Sequence, residues 1–108
     1  MNRIEILDVS LDLIRAIKPI VKKLQTQDAE EARQMKNAAN SVARNVSEGW
    51  ERVGKDKPHL YRIGAGSARE VRAGLLIADA WGWIEPAELE VAMALTDRLG
   101  AMLWRLTH

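Results

Sequence analysis

The chain contains no cysteine and no phenylalanine, and histidine occurs only twice in its 108 residues. Without cysteine there is no disulfide, no thiolate metal site and no cysteine nucleophile, and the composition fits a reducing compartment. His59 and His108 are the only histidines, so the paired Glu-x-x-His motifs of di-metal helical bundles are missing. No Gly-x-Ser-x-Gly elbow or phosphate-binding loop occurs. No apolar run approaches membrane-spanning length. The charged opening Met1-Asn2-Arg3-Ile4-Glu5 lacks the apolar centre of a signal peptide, so a cytoplasmic location is expected. A strong charge imbalance is missing too. The formal net charge is +1, so the molecule as a whole is no strong polyanion binder. Any contact with nucleic acid must come from local basic stripes or from their repetition in an oligomer.

What is present is a globular composition, 47% hydrophobic and 29% charged. A chain of 108 residues forms one domain, spanning 1–108, with a modest core. Helical spacing dominates throughout and the punctuation is short. That predicts an all-α, up-down antiparallel four-helix bundle.

The first predicted helix runs from about Arg3 to Leu24 and carries two apolar stripes. Ile4, Leu7, Leu11 and Ile14 form one; Ile6, Val9, Leu13, Ile17 and Ile20 form another, nearly opposite. One stripe suffices for a monomeric bundle, so the second is expected to meet another chain. Pro19 removes a backbone donor and is expected to kink this helix; the alternative is two shorter helices. A second helix begins near Asp28, which with Glu31 resembles a capping box. Its apolar stripe is Met35, Ala38, Ala39, Val42 and Val46, with Gly49 in the middle, and Gly49 or Gly54 is expected to end it.

The third helix opens near Pro58 after the polar loop Val53 to Lys57. Leu60, Ile63, Ser67, Val71, Gly74, Ala78 and Trp81 define its expected core line. Gly64, Gly66 and Gly74 imply close backbone approach there, since each costs roughly 1 kcal/mol in a helix. Tyr61, Ala65, Leu75 and Leu76 are expected on a second contact surface. Trp81-Gly82-Trp83-Ile84 closes this helix. Pro86 opens the fourth, whose inner stripe is Leu89, Ala92, Met93, Thr96, Leu99, Gly100 and Leu103, widened by Leu95, Met102 and Leu106.

Ser41, Asn45 and Glu48 share one edge of the second helix, and Ser67 and Glu70 are similarly related on the third. If those faces meet, two carboxylates, an amide and hydroxyls converge, with Asn45 suited to partner Glu70. The expected role is a buried polar network fixing helix register, comprising Ser41, Asn45, Glu48, Gly49, Ser67 and Glu70. Metal binding or acid–base catalysis by the carboxylates is the competing reading. No catalytic, cofactor-binding or metal-ligating residue is assigned. Basic residues form stripes: Arg33, Lys36 and Arg44 on the second helix, and Arg62, Arg69 and Arg72 on the third. Each stripe alone reads as a solvated face. Repeated around a ring, the stripes can engage a phosphate backbone. Trp50, Trp81, Trp83 and Trp104 are candidates for stacking on bases or for closing the core.

At these residues the chain resembles the bacterial four-helix-bundle proteins encoded in intervening sequences of large-subunit ribosomal RNA genes. That family's pattern is a small-residue run, then Asn-Ile-Ala-Glu-Gly, then Gly-Ser-x-x-Glu, then an aromatic–Gly close. Here these read Ser41-Val42-Ala43-Arg44-Asn45-Val46-Ser47-Glu48-Gly49, Gly66-Ser67-Ala68-Arg69-Glu70 and Trp81-Gly82-Trp83-Ile84, with Ser47 in place of the usual alanine. The resemblance implies a ring-like homopentamer of bundles with no known enzymatic activity and no cofactor. A related branch, the accessory protein of diversity-generating retroelements, binds a reverse transcriptase and its RNA. The near-neutral charge here departs from that branch. The leading expectation is a non-enzymatic homo-oligomer that binds RNA. The rival is a protein-interaction scaffold, such as a reverse-transcriptase accessory protein. An enzyme using Glu48 and Glu70 is the third reading.

Overall fold

One residue, Asp28, separates the first two helices of the computed structural model, which describes residues 3–51 and 56–108. The elements are α1 (Arg3–Gln27), α2 (Ala29–Glu51), α3 (Asp56–Ala80) and α4 (Pro86–Thr107), with no strand among the described residues. Helices of this length span about 33–38 Å, close to the 43 Å long axis of the molecule. They therefore lie side by side, and short connections make successive neighbours antiparallel. Each packs against two others, with α4 returning to α1. Lys23 near the end of α1 pairs with Glu88 at the start of α4, while Glu5 at the start of α1 faces Arg98 at 3.9 Å. Among the described residues no helix is long and apolar enough to cross a membrane.

The helix ends follow from local chemistry. The Asp28 carboxylate accepts the Glu31 backbone N–H at 3.1 Å, as an N-cap should. Glu88 accepts the Glu85 N–H at 3.1 Å behind Pro86. The bond from Lys23 holds the Glu88 carboxyl below its ordinary pKa, with burial opposing it and the Glu85 N–H adding a lesser pull downward. At the end of α3, Trp83 N–H bonds Ala78 C=O and Gly82 N–H bonds Asp79 C=O, both at 2.9 Å. This is a Schellman closure, and it needs the positive φ of Gly82, +74°. α1 runs unbroken through Pro19 to Gln27, so the reading of two shorter helices is excluded and the helix is longer than expected. Gly49 lies inside α2, which continues to Glu51, so it does not end that helix. Gly54 and the loop up to Lys55 lie outside the described residues.

The core takes Ile6, Val9, Leu13, Ile17, Ile20 and Leu24 from α1. Leu7, Leu11, Ile14 and Val21 on the other stripe are half-buried; the side chain of Ile4 lies outside those described. α2 buries Ala32, Met35, Ala38, Ala39, Val42, Val46 and Gly49, as its spacing predicts. α4 buries Ala92, Thr96, Leu99, Met102 and Leu103.

The expected face of α3 is corrected by about 60° of rotation. Its buried line is Tyr61, Gly64, Ser67, Ala68, Val71, Leu75 and Ala78. Tyr61 and Leu75, expected on a separate surface, are core residues, whereas Ile63 and Trp81 are 40% and 69% exposed. The rotation has a cause in the Tyr61 ring, which seats directly over Gly49. A Cβ at position 49 would lie 2.6 Å from Tyr61 Cε1. The glycines of α3 itself are looser than expected. A Cβ at Gly64 would make ordinary contacts from 3.7 Å, and one at Gly66 would meet only the Arg69 side chain; Gly74 is tighter, against Met35 at 3.1 Å. The Tyr61 hydroxyl is buried with no hydrogen-bond partner among the described residues, and burial pushes its pKa up.

The Gly49–Tyr61 contact sets two effects against each other. Alanine in a helix interior is favoured over glycine by about 1 kcal/mol, but overpacking costs about 1–3 kcal/mol. Gly49→Ala is therefore expected to destabilise the wild-type bundle, yet to stabilise a Tyr61→Leu background by about 1 kcal/mol. Urea unfolding of the four variants at one protein concentration measures the coupling. A stabilising Gly49→Ala in the wild type would contradict the packing.

Candidate functional site

Two groups of polar side chains stand out, one between α2 and α3 and one between α3 and α4. In the first, the Ser67 hydroxyl donates to Ser41 Oγ at 2.7 Å. The Asn45 side-chain amide donates to Ser41 C=O at 2.8 Å and to Ser41 Oγ at 3.1 Å. Ser41, Asn45 and Ser67 thus form a short chain across the helix interface beside the Gly49 notch.

Glu48 and Glu70 do not join it. Both are exposed. Glu48 sits in a shallow depression with Ala43, Arg44 and Ser47; Glu70 lies across the helix pair with Glu31, Gln34 and Met35. A step of three residues falls about 60° short of a full turn. From Asn45 to Glu48, and from Ser67 to Glu70, that rotation runs away from the core. The expected convergence of two carboxylates, and the pairing of Asn45 with Glu70, are therefore corrected: Asn45 bonds Ser41. Among the described residues no group of three His, Asp or Glu side chains is placed to hold a metal ion.

The basic residues divide unequally. Arg33 is forked onto Glu30, with Nε donating to Oε2 at 3.0 Å. That bond, helped by Gln34, lowers the Glu30 pKa to about 2 and raises that of Arg33. Lys36 turns toward α1, where it lines a groove of about 220 Å³ with Lys18, Lys22 and the apolar Ile14, Ile17 and Val21. Arg44 stands beside Glu48. The three expected cations of α2 therefore face three different surroundings.

Arg62, Arg69 and Arg72 instead share one groove of about 400 Å³ between α3 and α4. Antiparallel packing brings the end of α4 beside the start of α3, so Trp104, Thr107 and His108 close the end nearest Arg62. Arg72 donates to Asp97 at 3.3 Å toward the other end. Arg62 and Arg69 are exposed and have no carboxylate partner among the described residues. Thr96 and Gly100 lie along α4 between the two ends. The indole of Trp104 is 60% exposed and stacks on the His108 ring, with centroids 4.5 Å apart and planes 10° apart. Trp81 also stacks on Trp83, at 5.6 Å, but at the opposite end of α3. The arginines were legible in the sequence. Their conjunction with Trp104, His108 and Asp97 was not, because it depends on the register of α3 against α4.

Residues 2–105 match the family model of the 23S rRNA-intervening sequence protein. No curated protein and no solved structure matches the chain.

The roles of the polar residues separate by stability. Asn45→Ala and Ser67→Ala are each expected to cost about 1 kcal/mol, the net worth of a lost hydrogen bond. Glu48→Gln and Glu70→Gln should fall within about 0.5 kcal/mol of wild type, as exposed sites do. Thermal and urea melts of the four variants check the division. A carboxylate variant as costly as Ser67→Ala would return that residue to the network.

Proposed function

Because this chain belongs to the 23S rRNA-intervening sequence protein family, we propose that it is a non-enzymatic, cytoplasmic homo-oligomer that binds RNA through its α3/α4 face. The observation that carries this reading is the groove in which Arg62, Arg69 and Arg72 converge, two of them without a carboxylate partner among the described residues. Guanidinium groups free of internal ion pairs are available to phosphate. Repetition around a ring multiplies a modest local charge into a useful field. The five-fold ring is the assembly the family resemblance implies. It is supported by apolar side chains that one bundle leaves in water: Ile63, Leu76 and Ile77 on α3, Trp81 just past its end, and Val91 on α4. Heterologous contacts that close a ring can cover such surfaces on every copy.

The same exposed apolar residues favour a second reading, a scaffold for another protein, of which a reverse transcriptase is one candidate. The two readings respond differently to the removal of charge. Scaffold binding would rest on Ile77 and Trp81, and RNA binding on Arg62 and Arg69.

Native mass spectrometry at micromolar concentration is expected to find an assembly of five times the 12.1 kDa subunit mass. A monomer would end the ring reading. For RNA, the logarithm of affinity should fall linearly with the logarithm of salt, by about 0.7 per contacted phosphate on a single strand. Reversing Arg62 and Arg69 to glutamate should flatten this slope without lowering the melting temperature, since both are exposed. A salt titration of labelled RNA with both proteins decides it. No binding at low salt would leave the scaffold reading in front.

A further inference from the structure

We propose that the α3/α4 groove takes single-stranded RNA, holding phosphates on Arg62 and Arg69 while an unpaired base extends the Trp104–His108 ring stack. This rests on the RNA reading above and narrows it to a strand whose bases are unstacked and free.

A phosphate site alone needs only cations, and this groove has more. Its end wall is a pair of flat rings that already lie face to face. His108 Nδ1 lies 3.0 Å from Trp104 C=O and 3.0 Å from Thr107 Oγ1, and these contacts set the tilt of the ring: it stays parallel to the indole instead of swinging into solvent. With one face engaged in this way, Trp104 still leaves 60% of its surface exposed. Such a surface is a stacking platform of the kind that holds unpaired bases, and it tolerates any base because each has a π face. The floor is shallow backbone. A Cβ built on Gly100 would meet nothing within 4 Å, so the space above it is open.

The arrangement also has direction. Arg62 lies beside the ring pair, and Arg69 and Arg72 follow along α3, with about 15 Å of helix from first to last. A strand of a few nucleotides entering at the rings would run its phosphates along this line. In an A-form duplex the bases are stacked inside and only backbone and shallow-groove edges are offered. A duplex would meet the arginines but not the indole. The α1/α2 groove makes the contrast: Lys18, Lys22 and Lys36 line it, but no aromatic ring does.

The test uses the full-length oligomer and three fluorescein-labelled probes of about 12 nucleotides, within the usual span of single-strand sites. They are single-stranded oligouridylate, whose bases are largely unstacked, its duplex with oligoadenylate, and an abasic strand with the same phosphates. Fluorescence anisotropy at low salt should show the single strand bound about 5- to 100-fold tighter than the other two, as one stacked base provides. Trp104→Leu should remove about 5- to 100-fold of the single-strand affinity and leave both the abasic affinity and the salt slope as in wild type. Gly100→Leu, which fills the open floor with a helix-favouring side chain, should weaken single-strand binding by a similar factor. Arg62→Glu with Arg69→Glu should weaken all three probes. Equal affinity for the three probes, or wild-type binding by Trp104→Leu, would overturn the stacking site and leave a phosphate-only RNA protein. Absence of all binding by the wild type would overturn the RNA reading itself. Melting curves keep the variants comparable, since Trp104 is exposed and position 100 is unobstructed.

Discussion

The rotational setting of α3 depends on the absence of a side chain at position 49. The Tyr61 ring occupies the place where a Cβ would stand, and it is 1% exposed there. A phenol of that size cannot be moved to the outer face without uncovering most of its apolar surface. Its burial therefore fixes the turn of α3 against α2. The Ser67–Ser41 hydrogen bond, about two helical turns away, is made in that setting. Val71, Leu75 and Ala78 then fall inside. As a direct consequence Arg62, Arg69 and Arg72 fall on the side of α4, where they share a groove. Packing at one end of the α2/α3 interface thus decides where the charge of the molecule is presented.

The number and type of elements were legible in the sequence because their ends are marked by residues with one physical meaning each: Asp28 as a cap, Pro86 as a first-turn residue, and Gly82 in a left-handed closure. The face of α2 was legible too, since its polar and apolar residues segregate cleanly. α3 was not, for a physical reason. Ile63, Ile77 and, just past the helix end, Trp81 offer a second apolar line, and periodicity alone cannot say which line a neighbouring helix covers. The deciding contact, Tyr61 on Gly49, joins residues of different helices. The carboxylates misled in the same way. Glu48 and Glu70 follow Asn45 and Ser67 by three residues, close enough to share an edge in projection but turned far enough to reach water. The serine–asparagine part of the site was therefore readable, and the carboxylate part was not.

Near-neutral net charge is a poor guide to the surface. Many of the cations are spent locally: Arg15 on Asp12, Lys23 on Glu88, Arg33 on Glu30, and Arg72 on Asp97. These pairs are exposed, so each adds little to stability. Their larger effect is local, cancelling field beside Asp12 and Glu88, over the first turns of α2 and at one end of the α3/α4 groove, while Lys18, Lys22 and Lys36 of the α1/α2 groove have no ion pair among the described residues. Arg62 and Arg69 stand out against that cancelled background, and the potential they create is set by their own neighbourhood rather than by the total of +1.

RNA binding and self-assembly would use different sectors of the same helix. Ile63, Ile77 and Trp81 lie about 100° around α3 from Arg62 and Arg69. A neighbouring copy seated on the first sector would bury apolar side chains now 40%, 41% and 69% exposed, and it would leave the groove beside α4 open. Apart from Leu76, which shares the sector of Arg69 and Arg72, the two readings draw on different surface. Assembly would place each groove at a fixed angle and distance from the next, and a strand reaching two of them would gain from the second at the effective concentration the ring sets. A weak site on each subunit is then sufficient, and near-neutral subunits are not an obstacle to an RNA-binding ring.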